Sequence, residues 1–249
     1  MFSIITKECK PTTLIISILA AIMFSSNAWS AVRPKLTRVV AYAENKETSV
    51  DIINESTENY LIQSWLEDTK GNEDSLPLVL TPPMMKIGAR QEGKLRLVVL
   101  PIDLPQDRES VYWLSIQEIP PKAKNNAANK LVIAIRSRLK VFVRPQGLNG
   151  ADAAKAIKML KWTVERNGKN VWLKVRNPTP YHVSFGKLEL KNSGQKSITL
   201  NDKTEMAAPM STQKYLVPVS LQGKSATLTY SAVNDYGGET EVLTTEVNL

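Results

Sequence analysis

Short runs of β-branched and aromatic residues, separated by turn residues, recur along most of this 249-residue chain. The short distance between successive turn residues fits the length of a strand. About seven short strands in each half of a chain is typical of a β-sandwich. Only residues 151–162 could turn helically. The predicted strands are residues 48–53, 60–67, 95–100, 111–119, 131–143, 170–175, 182–190, 197–200, 215–219, 226–230 and 241–247. The pattern therefore predicts an all-β protein built of two tandem immunoglobulin-like β-sandwich domains.

A break between the two predicted domains follows Arg144. Pro145 cannot continue a strand ladder, and Gly147 favours a turn. We therefore predict a first domain over residues 31–146 and a second over residues 147–249.

The first thirty residues have the pattern of a secretory signal peptide rather than of a folded element. Lys7 and Lys10 form a basic start, and residues 14–24 are almost wholly apolar. Small residues then provide a cleavage site, either after Ala28 or after Ser30. Because the apolar run is well short of the roughly 20 residues that span a bilayer, we predict an exported protein with a signal peptide over residues 1–30 and no membrane insertion.

The sequence lacks the residue patterns of the common enzyme active sites. Its single cysteine, Cys9, lies in the predicted signal peptide, so the mature protein has neither a disulfide nor a reactive thiol. His182 is the only histidine, and neither a His-Glu-x-x-His metal pattern nor a nucleophile elbow is present. We therefore expect no catalytic residues, no metal and no cofactor.

The net charge of +8 narrows the class of partner without naming one. The signal peptide contributes a net +1, which leaves +7 on the mature protein and favours acidic partners. No nucleic-acid-binding motif accompanies the charge, so we expect no nucleic-acid partner.

The segment from residue 130 to residue 144 is unusual for a strand that only contributes to the fold of its own sandwich. It is more than twice the usual strand length of roughly five to six residues, and its first part is apolar on both faces. Leu131, Ile133 and Ile135 point one way, and in a sandwich one face of every strand meets solvent. The row is therefore either covered within the chain or a surface that binds a partner, and the pattern alone leaves both interpretations open.

Eight short motifs in a fixed order connect the chain to a known family. They are Thr37-Arg38-Val39, Tyr60-Leu61-Ile62-Gln63-Ser64-Trp65, Thr81-Pro82-Pro83, Leu104-Pro105-Gln106-Asp107-Arg108-Glu109-Ser110, Glu118-Ile119-Pro120-Pro121, Lys140-Val141-Phe142-Val143-Arg144-Pro145, Asn177-Pro178-Thr179-Pro180-Tyr181 and Asn234-Asp235-Tyr236-Gly237-Gly238. With them the mature sequence resembles the PapD-like periplasmic pilus chaperones of the chaperone–usher pathway, most of all the type 1 pilus chaperone, and the short loop at residues 122–129 resembles the short-loop subfamily.

The resemblance implies a fold, a function and partners. The two sandwiches would form an L-shaped arrangement, and the protein would bind, fold and cap pilus subunits (pilins and the adhesin) by donor-strand complementation in the periplasm. It would then deliver them to an outer-membrane usher, and the free form could self-associate through its exposed strand. A pilus structural subunit or a carbohydrate-binding adhesin is the alternative interpretation of two sandwiches with a sticky strand.

The resemblance also implies three groups of functional residues. Arg38 and Lys140 match two cations that bind the C-terminal carboxylate of the pilin. The row of Leu131, Ile133 and Ile135 matches the side chains that fill the open groove of the pilin. An ion network that fixes the angle between the domains corresponds to Glu109, Arg144 and Asp235.

Three departures from the family pattern stand out. The cysteine pair that many relatives carry in the second domain is absent, and residues 86–93 lack a Glu-Pro-Gly turn found in some. Arg136 and Arg138 make the donor strand unusually basic. In addition, Ile135 and Lys140 have opposite parity, so we expect a twist or a bulge to let both serve one partner.

Two turns are predicted from local composition. Thr81-Pro82-Pro83 predicts a rigid turn that suits a cis peptide bond, and residues 234–238 predict a tight turn around Gly237.

Overall fold

The computed structural model describes residues 31–100, 102, 104–121, 133–168, 170–192, 197–200, 205–218 and 224–249. The predicted signal peptide and Leu131 lie outside these ranges. In the described ranges the chain is almost entirely β-structure, as predicted, and no helix there is long and apolar enough to cross a membrane.

The first half of the chain forms two facing sheets. One sheet has the order β1-β3-β7-β5, and the other has the order β2-β9-β8-β4-β6. The strands are β1 (Val32–Pro34), β2 (Arg38–Tyr42), β3 (Thr48–Asn54), β4 (Tyr60–Glu67), β5 (Leu78–Thr81), β6 (Met84–Ile87), β7 (Glu92–Val99), β8 (Ser110–Ile119) and β9 (Arg136–Arg144). All pairings are antiparallel except that of β2 with β9, which is parallel and sets Arg38 beside Lys140.

The second half begins with a short helix, α1 (Gly150–Lys155), continued by a 3₁₀ turn (Ala156–Met159). Its two sheets have the orders β10-β11-β14 and β13-β12-β15-β16. The strands are β10 (Lys161–Asn167), β11 (Asn170–Asn177), β12 (Phe185–Asn192), β13 (Ile198–Thr199), β14 (Ser211–Val217), β15 (Ser225–Ala232) and β16 (Leu243–Asn248).

Each half has an apolar core built from the inward-facing positions of its strands. Fully buried side chains of the first sandwich include Ile52, Ile62, Leu95, Leu97, Leu114 and Val141. Those of the second include Leu173, Val175, Leu188, Leu190 and Leu228. The inward side chains alternate with more exposed ones, for example along Asn170–Asn177, because successive residues of a strand point to opposite faces.

Several predicted elements differ from the structure, and β1, β2, β5, β6 and β10 match none of the predicted strands. Two of the differences concern the start of β9 and the end of the helical tract. Of the long strand expected over residues 131–143, residues 131 and 132 lie outside the described residues, residues 133–135 are not in a strand, and β9 begins at Arg136, where the ladder with β8 starts at the pair Gln117–Arg136. The helical tract expected over residues 151–162 ends at Met159, because residues from Lys161 onward pair with β11. Strand pairing, which no local pattern encodes, decides both boundaries.

Both predicted turns are confirmed. The Thr81–Pro82 peptide bond is cis and connects β5 to β6. In the turn at residues 234–238, the Asn234 side chain accepts from the backbone N–H of Tyr236 and of Gly238, and Gly237 has a φ of +88°. Glycine suits this left-handed position because it lacks a Cβ.

Candidate functional site

One edge of β9 has no neighbouring strand over its first part. β2 pairs with residues 140–144 of β9 only, so residues 136–139 have β8 on one side and, within the described chain, no strand on the other. The carbonyl of Arg144 accepts from Ala43 N–H on the β2 side, whereas the carbonyl of Ile135 accepts from Glu118 N–H on the β8 side. Because backbone groups alternate along a strand, the N–H and C=O of Arg136 and Arg138 point to the open edge.

The row predicted to bind a partner begins just before this open edge. Ile133 is 65% exposed and Ile135 is 39% exposed, and Leu131 lies outside the described residues. These two isoleucines are therefore surface residues rather than core residues. An apolar pair beside an unpaired strand edge is the arrangement that isolated proteins avoid unless another chain covers it.

A buried carboxylate holds the backbone at this point. Glu118 Oε1 accepts from Ile135 N–H at 3.2 Å, and Glu118 Oε2 accepts from Val32 N–H at 3.0 Å. Glu118 therefore links the start of β9 to β1 of the facing sheet, so the exposed row leaves the sandwich from a fixed backbone position.

No register shift interrupts the pairing of β8 with β9, so the expected bulge is absent from residues 136–143. Ile135 and Lys140 therefore lie on opposite faces of one regular strand. A partner strand paired along the open edge would present side chains on both faces of the sheet, so one face would lie beside the isoleucines and the other beside Lys140. Such a partner can contact Ile135 and Lys140 together without a bulge in β9.

The two predicted cations lie side by side at the end of this open edge. Arg38 and Lys140 are Cα partners in the parallel pair of β2 with β9. Arg38 Nη1 donates to Val233 O at 2.9 Å, and Lys140 Nζ lies 3.4 Å from Ser184 Oγ. Arg38 lines two cavities of about 250 and 270 Å³, and its Nε is buried without a hydrogen-bond partner in the part of the chain described.

Neither cation forms a salt bridge within the described residues, although the charges of Asp235 and Glu109 act on Arg38 from a greater distance. No carboxylate of the described residues lies within 4.0 Å of Arg38 or Lys140. Burial lowers the pKa of Arg38, and burial together with the charge of Arg38 lowers the pKa of Lys140. Two partly buried like charges of this kind suit an anion, because an incoming carboxylate would relieve their repulsion.

The structure brings Glu109, Arg144 and Asp235 together where the two sandwiches meet. Arg144 Nε donates to Glu109 Oε1 at 2.9 Å, and its two terminal nitrogens each donate to Asp235 at 2.7 Å. Arg144 and Glu109 are almost fully buried. Burial would lower the pKa of Arg144, but hydrogen bonds and charges from Asp235 and Glu109 outweigh it and raise the pKa above its ordinary value.

Sequence reasoning missed two members of this network. The second oxygen of Glu109 accepts from the backbone N–H of His182 at 2.8 Å and lies 3.0 Å from His182 Nδ1. The Tyr42 hydroxyl lies 3.2 Å from Arg144 Nη1. Tyr42 ends β2, and His182 follows the turn at residues 177–181. Neither position carries a sequence signal of an ion network, so only the fold reveals these contacts.

A glycine substitution tests how closely the 234–238 turn packs on the first sandwich. A Cβ at Gly237 would overlap Thr37 Oγ1, whereas a Cβ at Gly71, which has the same φ of +88°, would meet nothing within 4 Å. We expect Gly71→Ala to cost about 1–2 kcal/mol from backbone strain alone. Gly237→Ala should cost roughly 1–3 kcal/mol more, and adding Thr37→Ala should recover part of that difference. Urea unfolding of the three variants measures this, and equal losses for the two glycine variants would show that the turn does not pack on Thr37.

Comparison with known proteins places both halves of the chain in one family. Residues 31–149 match the family model described as pili and flagellar-assembly chaperone, PapD N-terminal domain. Residues 155–243 match the model described as pili assembly chaperone PapD, C-terminal domain.

Individual relatives agree over nearly the whole length. Chaperone protein LpfB of Salmonella typhimurium is 35% identical over 239 residues, which cover 95% of this chain and 96% of that protein. Probable fimbrial chaperone LpfB of Escherichia coli O157:H7 is 36% identical over 217 residues, which cover 85% and 87%. The crystal structure of the YadV chaperone, a probable fimbrial chaperone of Escherichia coli, is 32% identical, has a TM-score of 0.72 and covers 88% of this chain and 100% of that one. The chain therefore belongs to the PapD-like family of pilus-assembly chaperones.

Proposed function

We propose that this protein binds pilus subunits, both pilins and adhesins, in the periplasm by lending them a strand, and passes them to an outer-membrane usher. The observation that carries the proposal is the unpaired edge of β9, which begins at two exposed isoleucines and ends at two cations without a carboxylate. Chaperone–pilin pairs are a known case of strand addition, in which main-chain hydrogen bonds provide affinity and alternate side chains provide specificity.

The position of the cations determines the direction of the bound strand. The open edge runs from Ile133 toward Lys140, so the anion site lies at its C-terminal end. If Arg38 and Lys140 hold the C-terminal carboxylate of a subunit, the last strand of that subunit runs parallel to β9. It would thus lie in line with β2, which pairs in parallel with the next part of the same edge.

The apolar row and the cations contribute to different properties of the complex. Burying Ile133 and Ile135 is worth about 1.5–3 kcal/mol each before the cost of association. A charge-assisted bond to a carboxylate adds about 1.5–3 kcal/mol. The isoleucines, with Leu131 as the third proposed member of the row, therefore provide most of the affinity. The cations determine register, because a strand that slips by one residue presents its wrong face.

The ion network at the junction supports the same role. Arg144 joins Glu109 of the first sandwich to Asp235 of the second, and Arg38 contacts Val233 of the second sandwich. We propose that Glu109, Arg144 and Asp235 keep the junction rigid so that the anion site stays aligned with the open edge. Such a protein acts by binding alone, which fits relatives that are named as chaperones.

A subunit or adhesin is the less favoured alternative. The relatives that match this chain over most of their length are named as chaperones rather than as subunits. The sticky segment also lies inside the chain, directly before the junction, whereas a pilin would carry its donor strand as an N-terminal extension. Gel filtration separates the two: a chaperone stays a small species, and a subunit forms polymers.

Replacing Ile133 by aspartate tests the proposed donor row. Because Ile133 is exposed, Ile133→Asp should leave the free protein as stable as the wild type. It should weaken capture of a pilus subunit by roughly 10- to 100-fold, since the partner loses apolar contact and gains a buried charge. Co-purification from the periplasm of the source bacterium measures the capture.

The matched control is Leu216→Asp, which places the same charge at another exposed apolar residue, in the second sandwich: Leu216 is 50% exposed and Ile133 is 65% exposed. Capture by this variant should equal that of the wild type. An equal loss of capture in both variants, or a large fall in the melting temperature of free Ile133→Asp, would show that Ile133 is not part of the binding surface.

A further inference from the structure

The outer face of the five-stranded sheet carries alternating arginines and tryptophans beside the open edge. Arg136 and Arg138, on the same face as Lys140, are stacked on two tryptophans: the Cζ of Arg136 is 5.5 Å from the ring centre of Trp65, and that of Arg138 is 4.5 Å from that of Trp113. We call Arg136, Arg138, Trp65 and Trp113 the Arg–Trp ladder. Such stacking fixes the plane of a guanidinium and leaves its N–H edge free to bond.

A buried glutamate organises one end of the ladder. Glu67 accepts from Trp65 Nε1 at 2.7 Å and from Ser115 Oγ at 3.3 Å, and it pairs with Arg138. Burial alone would raise the pKa of Glu67, but the hydrogen bond from Trp65 and the charge of Arg138 lower it below the ordinary value. Glu67 therefore stays ionised at neutral pH, neutralises Arg138 and holds both the tryptophan and the arginine in place.

Arg136 is the arginine of the ladder that forms no salt bridge within the described residues, although its charge contributes to lowering the pKa of Glu67. Its side chain is exposed, and no carboxylate among the described residues lies within 4.0 Å of it. Apart from the Trp65 ring, its guanidinium meets no hydrogen-bond acceptor in the described ranges. A positioned guanidinium with a free donor edge matches a carboxylate, which it can bind through two parallel hydrogen bonds.

The register of β9 places Arg136 beside any strand that occupies the open edge, while its guanidinium lies over Trp65 of β4, on the β8 side of β9. Backbone groups of Arg136 and Arg138 face that edge, and their side chains lie on the face opposite the isoleucines. Arg136 precedes Lys140 by four residues, which at about 3.3 Å per residue is roughly 13 Å. A parallel strand whose carboxylate lies at Arg38 and Lys140 therefore brings an outward-facing side chain from roughly its last five residues beside Arg136.

We propose that the Arg–Trp ladder selects subunits that carry an acidic side chain on the outward face of their C-terminal strand, within roughly the last five residues. The proposal rests on the proposed function, because it assumes a subunit strand on the open edge of β9. It assigns the choice among subunits to Arg136, whereas the isoleucines and the two anchoring cations contact features that every subunit shares. Charge pairs across an interface commonly act in this way, by penalising the wrong partner.

Subunit variants that differ only at the outward position test the ladder. A purified pilus subunit would be prepared with Asp, Asn or Lys at that position. We expect the Asp form to be captured roughly three- to tenfold more tightly than the Lys form, with the difference shrinking as salt concentration rises. Arg136→Glu should reverse the order, and Arg136→Gln should abolish the preference while retaining capture.

The control variant is Lys46→Glu, which makes the same change of charge in an exposed turn at the other end of β2 from Arg38. It should leave the order of the three subunit forms unchanged. Equal capture of all three forms by the wild type and by Arg136→Glu would overturn the ladder as a selecting surface while leaving the proposed function intact. Capture of none of the forms by the wild type would instead overturn the proposed function itself.

Discussion

Lys140→Met is expected to reduce the affinity for a pilus subunit by roughly 10- to 100-fold while leaving the free protein folded and at least as stable as the wild type. The loss would follow from the removal of one of the two charge-assisted bonds that we propose for the C-terminal carboxylate of the subunit. Binding of a purified subunit and thermal unfolding of the free protein are the two measurements. Lys161→Met, which removes an exposed charge from β10, should change neither.

The expected stability of Lys140→Met follows from the sign of the pKa shift. Burial and the charge of Arg38 lower the pKa of Lys140 from 10.5, so between the lowered pKa and 10.5 the unfolded chain binds more protons than the folded one. Below that pH window the charged ammonium therefore lowers the free energy of unfolding. This destabilisation disappears as the pH rises through the window. At neutral pH methionine removes the destabilisation, which we expect to raise the melting temperature by about 2–4 °C.

A pilus subunit whose C-terminal carboxylate has been moved away from its usual position provides the test that complements Lys140→Met. Three additional residues at the C-terminus of the subunit should weaken capture by the wild type as much as Lys140→Met does. The variant and the extended subunit should not lose affinity additively, because both remove the same contact. Additive losses would show that Lys140 binds another group.

Arg144→Met is expected to lower the free energy of unfolding by about 3–5 kcal/mol. The substitution leaves the buried Glu109 carboxylate with His182 as its remaining partner and separates Asp235 from the first sandwich. Urea unfolding followed by tryptophan fluorescence measures the loss. Because Arg144 joins the two halves, the variant should also unfold in two separate transitions.

The control for Arg144→Met is Lys155→Met, which breaks the exposed pair of Lys155 with Asp152 on α1. Exposed pairs of this kind contribute about 0–1 kcal/mol. A loss of less than about 1 kcal/mol for Arg144→Met, similar to that of the control, would contradict a structural role for the buried network.

The sequence predicted the architecture because strand periodicity and turn chemistry are local properties. The runs at residues 60–67 and 111–119 coincide with β4 and nearly with β8, and the turn at Gly237 formed where Asn and Gly require it. The strand predicted over residues 131–143 is instructive in its described part. Ile133 and Ile135 continue the apolar alternation but are exposed and precede the first ladder pair at Arg136, so periodicity there overestimates the length of β9.

The arrangement of the site could not be predicted from local pattern. No periodicity sets Arg38 beside Lys140, since a parallel pairing across 102 positions depends on the whole sandwich. Family resemblance assigned a role to these two residues, but it assigned none to Glu118, Tyr42 or His182. Their contacts connect distant parts of the chain, where a side chain reaches a backbone amide or a guanidinium that only the folded structure brings near.

Backbone hydrogen exchange along β9, measured with and without a captured pilus subunit, tests strand lending most directly. Exchange is fast where backbone amides are unpaired and slow where a ladder forms. We predict that the amides of Arg136 and Arg138, which face the open edge, become strongly protected in the complex, whereas the β10–β11 pair does not change. Binding of a subunit that leaves the amides of Arg136 and Arg138 as exchangeable as in the free protein would contradict strand addition at this edge.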